Sequence, residues 1–128
     1  MKSKAVASII VVAGLLMASG VLLAHHGTAA YDTSKSVTVK GTVTDFQFVN
    51  PHVIVLLDVT DDQGNVQKWQ GELTSPNHLV RAGWTKVSIK AGDQVTVTGY
   101  PAKSGANSLW ITKTVLGSGE QLGTGGGN

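Results

Sequence analysis

Val37-Thr38-Val39-Lys40-Gly41-Thr42-Val43-Thr44 alternates small or apolar residues with polar ones over eight positions. A period of two carried by β-branched residues is the pattern of a half-buried strand. After Val43 the parity slips, because the next large apolar residues are Phe46 and Phe48. A bulge or bend near Asp45 would bring both sets to the same face. The segment therefore predicts a long first strand that bends, and the rest of the chain is read outward from it.

On its C-terminal side, Asn50-Pro51 interrupts pairing, since proline has no N–H to give a ladder. His52 to Val59 then predicts a second strand, whose run Val53-Ile54-Val55-Leu56-Leu57 suits a strand covered on both faces. Asp61-Asp62-Gln63-Gly64-Asn65 has turn chemistry, and Val66 to Leu73 completes a hairpin. Thr74-Ser75-Pro76-Asn77 signals the start of a helix, which runs over 77–82 and stops at Gly83. Two more strands are expected at 95–100 and 109–116, joined by a loop at 101–108. The glycine-rich stretch 117–128 is expected to be a disordered tail. The fold class predicted is all-β: a small five-stranded OB-like barrel over 37–116, with one short helix between strands 3 and 4. A β-sandwich is the alternative and normally needs more strands.

On the N-terminal side, 25–36 is a polar lead-in containing Tyr31 and Asp32. Residues 1–24 have a different character. Met1-Lys2-Ser3-Lys4 is a basic head, and Ala5 to Ala24 is apolar apart from Ser8, Ser19 and two glycines. This is the composition of a signal peptide, with an uncleaved membrane anchor as the competing reading. Cleavage after Ala24 would leave His25-His26-Gly27 as the new start. Cuts after Gly20 or Ala30 are alternatives, and the last would remove both histidines. The expected location is the periplasm or the outside of the cell.

Lys2 and Lys4 account for two of the ten Lys and Arg, so the remainder of the chain balances its eight Asp and Glu. A neutral domain lacks the basic footprint that nucleic acid requires. With no cysteine, disulfides, thiolate metal sites and nucleophilic thiols are all excluded. No complete catalytic constellation is visible. There is no nucleophile elbow around Ser34, Ser75 or Ser88, and the glycine-rich tail has no helix after it to cradle a phosphate.

The chemistry-bearing residues are the histidines. An amino-terminal histidine can chelate one metal through its α-amine and ring Nδ1, and a second imidazole completes the tetragonal nitrogen set preferred by Cu(II). His25, His26 and His52 are the candidate metal ligands on this reasoning. Copper is the expected ion and zinc the runner-up, with Asp32 or Glu72 as the carboxylate zinc would accept. The plainer reading is a solvated, flexible start and a His52 that bonds a backbone carbonyl. His78, on the short helix, is expected to be structural or exposed. Glu72 could act as a general base, but no nucleophile or second acid pairs with it. A rim carboxylate bonded to a backbone N–H or to Arg81 is its alternative role. Trp69, Trp84 and Trp110 could stack on sugars or on a partner, although a small barrel needs at least two of them as filling.

Several of these segments occur in a recognisable order: Ala24-His25-His26-Gly27, Tyr31-Asp32, Gly41-Thr42-Val43, Asn50-Pro51-His52, Trp69 to Leu73, Ser75-Pro76-Asn77, Arg81-Ala82-Gly83-Trp84 and Gly92-Asp93. Together they resemble an exported bacterial family catalogued as domain of unknown function 6152, over about Ala24 to Leu122. The family pattern has serine where this chain has Gly27, which removes a hydroxyl but keeps both histidines. The resemblance implies a periplasmic or secreted location and an OB-like domain, and it implies no activity. It includes the positions of His25, His26 and Asn50-Pro51-His52, which adds to the case for a site there. Three functional readings follow: an exported copper- or zinc-binding protein, a non-catalytic module that binds a protein, glycan or small ligand, and an oxidative copper enzyme.

Overall fold

The computed structural model describes residues 27–124. Its strands are β1 (Val37–Gln47), β2 (Ile54–Thr60), β3 (Val66–Glu72), β4 (Gln94–Pro101), β5 (Ser108–Leu116) and β6 (Gln121–Leu122), with helix α1 (Pro76–Arg81) between β3 and β4. β1 pairs antiparallel with β2 on one side and β4 on the other. β2 pairs with β3 and β4 with β5, also antiparallel. A short parallel pairing, Gln70–Glu72 on β3 with Ser108–Trp110 on β5, closes the circuit. The result is a five-stranded mixed barrel with one short helix between β3 and β4, as the strand pattern predicts.

The slip in β1 is a register shift. Val43 lies opposite Leu57 and Asp45 opposite Leu56, so Thr44 has no partner. The extra residue bends the strand and lets it serve two neighbours. The core is filled by Val43, Val55, Leu57, Val95, Val97, Leu109 and Ile111 from the strands. Leu79 on α1, Trp84 and Ile89 join it from the connection that follows β3. Pro76 begins the helix and Gly83, at φ 90°, follows its end. No helix among the described residues is long and apolar enough to cross a membrane.

Two expectations are corrected. Val53, Val55 and Leu57 are buried, but Ile54 and Leu56 are only half-buried, so β2 is fully covered on one face alone. Among the described residues no second layer packs on the outside of so small a barrel. The stretch read as a disordered tail also begins with structure. Glu120 O accepts from Leu116 N at 2.8 Å, and β6 pairs with β5 through Leu122 and Gln121. Leu122 packs against the core, and Gly123 O accepts a hydrogen bond from the Trp84 indole. A buried indole N–H needs an acceptor, and here the backbone of the glycine-rich segment supplies it. Residues 125–128 lie outside the described residues.

Candidate functional site

The parallel seam between β3 and β5 places Glu72 directly opposite Trp110. Alternation along β3 turns Gly71 inward, where it is buried, and leaves Glu72 on the outer side. His52 precedes β2 and follows the cis Asn50-Pro51 bond. Its neighbour Val53 donates to Thr74 O at 3.2 Å and accepts from Leu73 N at 2.8 Å, which holds His52 beside the end of β3. Tyr31 comes from the lead-in. It bridges to Ala102, while Asp32 N donates to Pro101 O at 2.8 Å and Lys103 N to Ala30 O at 2.9 Å. Three distant parts of the chain thus converge on one seam.

Their polar groups meet on Glu72. Tyr31 Oη donates to Oε2 at 2.5 Å, and His52 Nδ1 lies 2.5 Å from Oε1. Ser108 Oγ lies 3.4 Å from the same phenol oxygen. Trp110 supplies the apolar wall, with its ring edge-on to His52 at 5.3 Å and 88° and tilted to Tyr31 at 6.0 Å. A carboxylate only accepts, so a neutral imidazole in this contact would carry its proton on Nδ1 and keep a lone pair on Nε2. That nitrogen can accept a proton or bind a metal.

Tyr31 is 5 % exposed. Burial above all, then the hydrogen bond to Glu72, pushes its phenol up to about 12. A raised value means that the folded chain holds this proton more tightly than the unfolded chain. The associated stability is complete below the ordinary phenol value near 10 and disappears as pH rises through about 12. Roughly 2 kcal/mol is expected to be lost across that interval. Urea denaturation at stepped alkaline pH measures it, with Tyr31→Phe, which has no phenol to titrate, showing the smaller loss.

Of the other sequence candidates, Asp32 and His78 make their contacts elsewhere. Asp32 turns back on its own loop, where the Ser34 hydroxyl and Lys35 hold its carboxyl below the usual range. Glu72 bonds Tyr31 and His52, not Arg81, because the outward face of β3 meets the lead-in at this seam. His78 is exposed on α1, 3.1 Å from Thr74 Oγ1. Trp84 is buried and Trp69 packs against the core, leaving Trp110 to the site. His25 and His26 lie outside the described residues. Among the described residues, no group of three His, Cys, Asp or Glu stands close enough to hold a metal. Gly27 lies against Trp110: a Cβ at this position would stand 3.9 Å from Trp110 Cη2.

Tyr31 and Ser108 are the members that sequence reasoning misses. Nothing in local spacing relates position 31 to 72, since only closure of the barrel joins them. A family model described as a family of unknown function, DUF6152, matches residues 12–109. The chain belongs to the DUF6152 family. The matched span of this DUF6152 protein takes in Tyr31, His52, Glu72 and Ser108 and ends one residue before Trp110. No curated protein matches the chain.

Proposed function

We propose that this DUF6152 protein is exported and binds a copper ion through His25, His26 and His52. The observation that carries the reading is the anchored imidazole of His52, whose Nδ1 is engaged by Glu72. A histidine held by a carboxylate is oriented and made more basic at its other nitrogen, which is how metal-binding histidines are usually supported. Gly27 adjoins Trp110, and Trp110 adjoins His52. In the proposed chelate the amine and ring of His25 share an ion with one or both of the other imidazoles. Zinc is the second ion the nitrogen donors would accept. Export rests on the basic head and apolar run of residues 1–24.

Titrating the protein that starts at His25 with Cu(II) and Zn(II) tests the reading. One equivalent of copper is expected to bind at least about 100-fold more tightly than to the variant carrying His25→Ala, His26→Ala and His52→Ala, a loss at the upper end of, or beyond, that of an outer partner. Equal affinity in the two proteins would end the proposal. The intact mass of the secreted chain checks the start at His25.

A further inference from the structure

Glu72 was a natural candidate for a metal ligand, as a carboxylate near a histidine. Its surroundings argue for a different part. Oε1 is engaged by His52 Nδ1 and Oε2 by the Tyr31 hydroxyl, each at 2.5 Å. Each oxygen therefore has a hydrogen-bond partner within the protein, and the side chain is only 18 % exposed. Tyr31 is itself fixed by the backbone bonds that tie the lead-in to the loop after β4. The carboxylate is thus gripped on one side by a buried phenol, and on the other it grips the imidazole.

We infer that Glu72 is a positioning residue and not a ligand: it holds the proton of His52 on Nδ1, and Tyr31 holds Glu72, so that Nε2 is the one ring atom left to donate. The inference rests on the metal reading above for what Nε2 donates to. It also deepens that reading. Asp32, the other candidate carboxylate for a metal, is engaged by Ser34 and Lys35. With both carboxylates held by partners within the protein, imidazole nitrogen is the donor the proposed site presents. Imidazole donors suit Cu(II) better than Mg²⁺, Ca²⁺ or Mn²⁺, which seek oxygen.

Two measurements decide the matter. The first needs no variant and no metal. Long-range proton–nitrogen correlation spectra of the wild-type protein, at a pH where the His52 ring is neutral, are expected to show Nδ1 protonated. A proton on Nε2 would overturn the inference. The second compares Glu72→Gln with wild type. Copper affinity is expected to fall about 10–100-fold, the usual effect of removing a partner of a ligating histidine. The electron paramagnetic resonance pattern of bound Cu(II) should stay the same, because no ligand has been lost. Unchanged affinity, or a spectrum that shows a lost oxygen ligand, would overturn the assignment. If wild type binds no copper, the proposed function falls, while the position of the His52 proton still decides whether Glu72 orients the ring.

Discussion

Gly99→Ala is expected to destabilise the barrel by roughly 3 kcal/mol, at the upper end of what an overpacking substitution does. A Cβ at this position would lie 2.0 Å from Trp110 O and 2.7 Å from Trp110 C, both backbone atoms. Neither can move without breaking the ladder between β4 and β5, whose register shifts between Thr98 and Gly99. The strain would fall on Trp110, so the wall behind His52 and Tyr31 should be disturbed with the fold. Gly71→Ala is the informative comparison. Its Cβ would lie 2.4 Å from Ile111 Cδ1, the far end of a side chain that can turn away. About 1 kcal/mol is expected there. Urea midpoints of the two variants measure the difference. A Gly99→Ala protein within about 0.5 kcal/mol of wild type would show that the β4–β5 contact yields more easily than its geometry suggests.

The same residues show how far sequence carries the fold. Strand positions followed from period two, and the bulge followed from the change of parity between Val43 and Phe46, because a strand displays its sides one residue at a time. The helix followed from Ser75-Pro76 and its end from Gly83. Closure did not follow in the same way. The pairing of Glu72 with Trp110 joins residues 38 positions apart, and no local pattern encodes it. The structured part of the tail was also hidden by composition. Glycine content argued for disorder, whereas one apolar residue, Leu122, and one buried indole, that of Trp84, were enough to hold it against the barrel.

The site was legible in pieces. His52 stood out by its place after Asn50-Pro51, and Glu72 stood out as a carboxylate that zinc would accept. What joined them was the lead-in, whose Tyr31 resembles any other aromatic near the start of a domain until its hydroxyl is seen on Glu72. Sequence reasoning offered Arg81 as the partner of Glu72 because charge complementarity is visible in a sequence. A neutral phenol and an imidazole give no such sign. Burial then makes the choice consequential, since a half-buried carboxylate with two donors is fixed in place as an exposed one is not.

His52→Ala should have its large effect on metal and a small one on the fold. The ring is partly exposed, at 29 %, and its loss leaves Glu72 still bonded to Tyr31 and within reach of water. About 1–2 kcal/mol of stability is therefore expected to go, and the variant should remain folded. Copper affinity should fall by more than about 100-fold, beyond what losing an outer partner such as Glu72 does. A cycle with the His25→Ala, His26→Ala double variant distinguishes one site from two. Ligands on one ion act as a unit, so the triple variant should bind little worse than either parent, a strongly non-additive result. Additive losses would mean that the terminal pair and His52 hold metal separately. Wild-type affinity in His52→Ala would mean that the Glu72-held imidazole serves some purpose other than metal, and the copper site would have to be built from the terminal histidines alone.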